Sequence, residues 1–186
     1  GVGGAGKRRE VPCGYRGTDA RDWRSGHKKS GGSTFLRYDC QNGAGNWWPT
    51  IDHVYEKATN DFVVTKPCQY QVVSNGLLVE ESVLGDGARL THWKQSVPIS
   101  PWPFTLGVAR FAVQKVDDFE GKPIQTWVSR QDRDAGFYDF AVPTKQDLEF
   151  FEDYAGPFAN DKSANVPYQA PGWSLEAQSG RASRAQ

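Results

Sequence analysis

The chain has 186 residues, enough for one domain with a real core, and its 22 Lys plus Arg are balanced by 22 Asp plus Glu. Zero net charge gives no electrostatic case for nucleic acid or an anionic membrane as partner, and no apolar run approaches the roughly 20 residues that span a bilayer. An aromatic share of 13%, with 7 Trp and 10 Phe, suits a folded sheet protein rather than a disordered tail.

In chain order, residues 1–45 are rich in Gly, Arg, Ser and Lys and show no apolar periodicity, so an irregular or mobile segment is expected. Lys7, Arg8 and Arg9 are not followed by the apolar stretch of a signal peptide. With Gly at position 1 and no Met anywhere, the sequence reads as a processed chain or a piece of a longer one. Cys13, Cys40 and Cys68 form no CxxC pair, so free thiols are expected rather than a disulfide framework or a metal site.

Residues 46–140 read as a run of short strands divided by turns. Phe62 to Thr65 is β-branched and ends at Pro67, and Tyr70 to Val73 follows. Ser74-Asn75-Gly76 predicts a hairpin, because Asn-Gly supplies the positive φ angles of a type I′ turn. Leu77 to Val79 would return, Gly85-Asp86-Gly87 turn again, and Arg89 to Gln95 run out with Leu90 alternating against Thr91 and Trp93. Phe104 to Val113 is the longest strand candidate, and Glu120-Gly121 turns into Ile124 to Val128. Strands joined by tight turns imply an antiparallel meander: a mainly β, saddle-like sheet or sandwich.

Residues 141–166 change character. Thr144 is a candidate N-cap for a helix from Lys145 to about Tyr154, with Leu148 and Phe151 on its apolar face and Gly156-Pro157 as its stop. A short helical segment beginning a second domain after residue 140 is therefore expected. Residues 167–186 again lack a core-forming face and read as an irregular tail.

The chemistry-bearing motifs are sparse. A zincin site needs two His one helical turn apart with a Glu beside them, and His27, His53 and His92 offer no such pair. His53 with Glu56 forms an H-x-x-E that chance produces often; ordering the turn after Asp52 is the plainer role, and His92 falls in a strand beside Trp93. No G-x-S-x-G elbow, phosphate-binding glycine loop or Cys-His arrangement with an orienting third group occurs. Asp132 and Asp134 flank Arg133 as acid/base candidates, but at a strand-to-helix junction they read first as a cap or a salt-bridged loop. Trp47, Trp48, Trp93, Trp102 and Trp127 could line a peptide- or glycan-binding face, and alternating aromatics on strands are more often core.

Four segments carry a family resemblance. Trp48-Pro49-Thr50-Ile51-Asp52-His53 with Lys57-Ala58-Thr59, Tyr70 to Gly76, Thr91 to Ile99, and Phe150 to Phe158 with Lys162, Asn165 and Val166 together resemble the N-terminal region of the aminopeptidase N-like zinc metallopeptidases. The resemblance covers about two-thirds of the chain. It implies a saddle-shaped β domain that packs on a thermolysin-like catalytic domain, walls the active-site cleft and helps recognise the free amine of a peptide substrate. It also implies zinc in the parent enzyme. The family's GxMxN element and its HExxH motif are absent from this sequence, which has no Met and no spaced His pair. Around Tyr38-Asp39-Cys40-Gln41, where the family carries an amine-recognising carboxylate or amide, the register does not match. No catalytic, cofactor-binding or metal-binding residue is therefore assigned, and no cofactor is expected in this chain. Its expected role is that of a non-catalytic region of a zinc aminopeptidase, with a stand-alone β-sandwich binding module as the alternative.

Overall fold

The computed structural model describes residues 35–38, 50–51, 53–166, 175–177 and 180–182. Eleven strands occur among them: β1 (Phe35–Tyr38), β2 (Ala58–Pro67), β3 (Gln71–Ser74), β4 (Leu77–Val83), β5 (Ala88–Ile99), β6 (Thr105–Ala109), β7 (Phe111–Phe119), β8 (Lys122–Ser129), β9 (Ser163–Asn165), β10 (Leu175–Ala177) and β11 (Gly180–Ala182). One long helix, α1 (Arg133–Ala155), follows β8. The fold is mainly β, as the turn-punctuated sequence implied. Short strands also lie within both terminal stretches that read as irregular; the rest of those stretches is outside the described residues.

Three sheets form, in the orders β1-β6-β3, β2-β5-β4 and β10-β11-β9-β8-β7. The β2/β5, β4/β5, β1/β6, β3/β6 and β7/β8 pairs are antiparallel. β9, reached through α1, runs parallel to β8, because a crossover through a helix permits a parallel return where a tight turn does not.

The simple meander is corrected at two places. Asn75-Gly76 does not close a two-residue hairpin, since β3 pairs with β6 while β4 pairs with β5. Gly76 has φ +72, but Asn75 lacks the positive φ that a type I′ turn requires. The pair instead makes a corner that carries the chain from one sheet to another. The long strand candidate at Phe104 to Val113 is two strands, broken at Arg110, where the chain leaves β6 for β7 in a different sheet. By contrast, Glu120 (φ 50) and Gly121 (φ 76) do form the tight two-residue hairpin between Phe119 and Lys122.

The predicted helix is also corrected. It begins at Arg133, with Asp132 at the N-cap position, and Thr144 lies in its interior. There the Thr144 hydroxyl donates to the Phe140 carbonyl (2.5 Å) instead of capping a first turn. Pro143 is tolerated within the helix although it supplies no N–H to the preceding turn. Gly136 explains how α1 lies close on β8: a Cβ built there would come 2.6 Å from Val128 Cγ1. Gly156, with φ +85, ends the helix and donates its N–H to the Glu152 carbonyl. Lys145 donates to Asp117 of β7, and that hydrogen bond holds the Asp117 carboxyl below its usual range.

The core lies where the three sheets meet. Val72 and Val73 (β3), Trp93 (β5), Ala109 (β6), Phe111 (β7), Trp127 (β8), Ala164 (β9) and Val166 form one buried cluster. Trp127 meets Trp93 and Phe111 edge to face, with ring centroids 5.9 Å apart in both pairs. In β5 the predicted alternation holds: Thr91, Trp93 and Gln95 are buried, while His92 is half-buried and Lys94 exposed.

Candidate functional site

His53 lies in an exposed turn, where its Nδ1 accepts a long contact from the Tyr55 N–H (3.4 Å) and its ring faces that of Tyr55. Glu56 donates its backbone N–H to the His53 carbonyl, so the H-x-x-E is a local turn. His92 pairs across the sheet with Asp61 of β2, Nε2 to Oδ1 at 2.7 Å. Asp132 makes no side-chain cap hydrogen bond, and Asp134 sits in the first turn of α1, where a negative charge suits the helix dipole. The structure brings none of these groups together.

Trp93 and Trp127 are 1% and 7% exposed and belong to the core, and Trp102 is half-buried. Trp47 and Trp48, like His27, Cys13, Cys40 and Asp52, lie outside the described residues, and so does the Asp39-Cys40-Gln41 stretch. Cys68 is a free, exposed thiol. Among the described residues no group of three or more His, Cys, Asp or Glu could hold a metal ion. α1 carries no His at all. No helix among the described residues is long and apolar enough to cross a membrane.

The most elaborate polar arrangement is structural, and it surrounds the Ser74-Asn75-Gly76 corner. The buried Asn75 accepts the Thr105 N–H at Oδ1 (2.7 Å) and donates from Nδ2 to the Pro103 carbonyl (3.1 Å). Ser74 Oγ donates to the Thr105 carbonyl (2.7 Å). One side chain thus replaces both backbone partners that the loop before β6 would otherwise lack. Asn75→Ala strands the buried Thr105 N–H and leaves the Pro103 carbonyl only a long contact from the Thr105 hydroxyl (3.4 Å), and is expected to cost about 2 kcal/mol, read as a lower thermal midpoint.

Above the corner lies Lys162, 1% exposed. Its Nζ donates to the Ser74 carbonyl and sits 4.3 Å from the centroid of the Trp93 ring. The neighbouring Asp161 accepts from the Ser96 N–H (3.2 Å) and hydroxyl (2.6 Å), and Asn165 Nδ2 donates to Thr144 Oγ1 (2.7 Å). Sequence reading had Lys162 and Asn165 only as parts of a resemblance. A Lys and an Asn set beside the apolar Ala164 and Val166 were the available signal, and their partners lie far away in the chain.

Known proteins share parts of this sequence and of this fold. The human glutamyl aminopeptidase is 28% identical over 107 residues, 58% of this chain and 11% of that protein. The rat and mouse glutamyl aminopeptidases match the same length at 27% and 25%. The M1 zinc metallopeptidase from Deinococcus radiodurans superposes with a TM-score of 0.76 over 86% of this chain and 37% of its own, at 18% identity. The chain resembles the aminopeptidase N-like zinc metallopeptidases in sequence and in fold. A mutant of the Deinococcus enzyme agrees, with a TM-score of 0.77 over 87% of this chain. No protein-family model matches the sequence. The chain spans about a tenth of the length of the curated aminopeptidases it matches.

Proposed function

We propose that this chain is a non-catalytic region of a zinc aminopeptidase, walling the cleft in which the parent enzyme removes N-terminal residues from peptides. The observation that carries the reading is the joint likeness to glutamyl aminopeptidases in sequence and to an M1 zinc metallopeptidase in fold, in a chain without HExxH. In the parent, zinc would activate water for attack on the first peptide bond, and the groups that hold the metal would lie outside this sequence. On this reading the catalytic domain begins within α1, at about residue 141, and is the principal partner of the chain.

Exposed apolar side chains support a covered face. Leu77, Leu78 and Val83 on β4 and Phe150, Phe151 and Tyr154 on α1 are all exposed, and the Phe150 ring meets Phe151 edge to face and lies tilted against Tyr154. Monomeric proteins seldom leave such groups open to water unless a partner covers them. Against the alternative of a stand-alone binding module, two of its five candidate Trp residues, Trp93 and Trp127, serve the core.

The test is hydrolysis of an aminoacyl-p-nitroanilide by the purified chain with and without added zinc. No turnover is expected in either case. Zinc-dependent turnover by the chain alone would overturn the proposal.

A further inference from the structure

The segment 161–166 acts as a strap. It returns from α1, adds β9 beside β8, and fastens to three separate elements through Asp161 to Ser96, Lys162 to Ser74 and Asn165 to Thr144. Ala164 and Val166 complete the core beneath it. Its centre is a lysine amine that no carboxylate of the described residues touches, and this is an unusual choice for a fully buried position.

We propose that Lys162 is an acid-sensitive lock: as a neutral amine it fastens the strap 161–166 to β3 and β5, and protonation loosens it. An ammonium carries three N–H donors. Here one carbonyl, Ser74, and one ring face, Trp93, stand in for the water it has lost. A neutral amine still donates to Ser74 and gives up the cation–π attraction of Trp93, but it carries no charge to desolvate, and at a fully buried position desolvation is the larger effect. The groups facing Lys162 are few. Among the described residues β3 brings the Ser74 carbonyl and β5 brings Trp93, while the alternation of the strand turns His92 and Lys94 to the other face. The one charge that acts on it is its neighbour Asp161, whose carboxylate is already held by Ser96.

Burial lowers the Lys162 pKa from 10.5 to about 7, against the opposing pull of Asp161. The sign follows directly. Between pH 7 and 10.5 the unfolded chain holds a proton that the folded chain has released, so stability rises with pH across that window. Below about pH 7 both states hold the proton and the cost of burying the charge is present in full. Mid-window, the unfolding equilibrium constant is expected to fall about tenfold per pH unit on account of this one group. The device is independent of any part the chain plays in peptide hydrolysis.

The experiment is urea unfolding of the full chain from pH 6 to 9.5, wild type beside Lys162→Met, which keeps length and apolar bulk without the amine. The wild-type midpoint should climb from pH 7 upward more steeply than that of the variant, and the variant should be the more stable of the two at pH 6. Parallel curves for the two chains would overturn the proposal. Should Lys162→Met fail to fold, hydrogen exchange on the wild type decides. Corrected for intrinsic rates, protection of the 162–166 amides relative to Val72 and Val73 must increase from pH 6 to pH 8. An unchanged ratio contradicts the lock.

Discussion

Gly76→Ala is expected to lower stability by about 3 kcal/mol or more, enough to leave a marginal domain largely unfolded. Two costs combine. The residue has φ +72, a region that costs an L-residue about 1–2 kcal/mol. The added methyl would also stand 1.9 Å from the Lys94 carbonyl oxygen and 2.6 Å from the Gln95 Cα. Both obstacles are backbone of β5, which is held on its two sides by β2 and β4 and cannot shift without disturbing both ladders. Gly87→Ala is the control: its φ is +75, but nothing lies within 4 Å of the added methyl. Urea midpoints of the two variants separate the effects. Equal losses would show that the close approach to β5 contributes nothing.

Trp93→Ala is expected to cost about 4 kcal/mol, the usual range for emptying a buried aromatic site. Trp93 is 1% exposed, meets Trp127 edge to face, and forms the surface on which Lys162 rests. Its loss therefore removes core volume and uncovers the amine at the same time. Trp102→Ala, at a half-buried position, should cost much less. Unfolding monitored by far-UV circular dichroism checks both, and comparable losses would contradict the placement of Trp93 at the centre of the core.

Local chemistry made some elements legible in the sequence. Glu120-Gly121 gave a hairpin because both residues take positive φ and no distant partner competes for them. The alternation of β5 was legible as Leu90 against Thr91 and Trp93, but which face is buried was not: Thr91 and Trp93 are buried and the apolar Leu90 only half so. Asn75-Gly76 looked like the stronger hairpin signal, yet its outcome was decided by Pro103 and Thr105, about thirty residues away, which engage the Asn75 side chain. The break at Arg110 carries no turn residue, so a change of sheet there could not be read from composition. The first half of α1 was missed because Thr144 reads as an N-cap, whereas its hydroxyl in fact bonds back to Phe140 one turn earlier in the helix. The half-buried Phe137, Phe140, Ala141, Thr144 and Leu148 did keep helical spacing. The family resemblance survived these errors because it rested on segments rather than on their pairing.

For the candidate site, the sequence excluded an HExxH centre from residue types alone. It could not show that Lys162 would be buried against Trp93, since nothing local distinguishes a core lysine from a solvated one. The isolated motifs at His53 and at Asp132 and Asp134 proved to be a turn and a helix start, which is what short matches usually are.

The proposed role, scaffold to a zinc aminopeptidase without its chemistry, requires that the chain bind a catalytic domain it does not itself contain. The most direct test mixes the chain with an aminopeptidase N-like catalytic domain from the same source, produced without its own β region, and follows peptide hydrolysis together with sedimentation. The account predicts a defined complex that hydrolyses the peptide faster than the catalytic domain alone, with dye binding to Phe150, Phe151 and Tyr154 suppressed on association. Unchanged hydrolysis and independent sedimentation of the two components would contradict it.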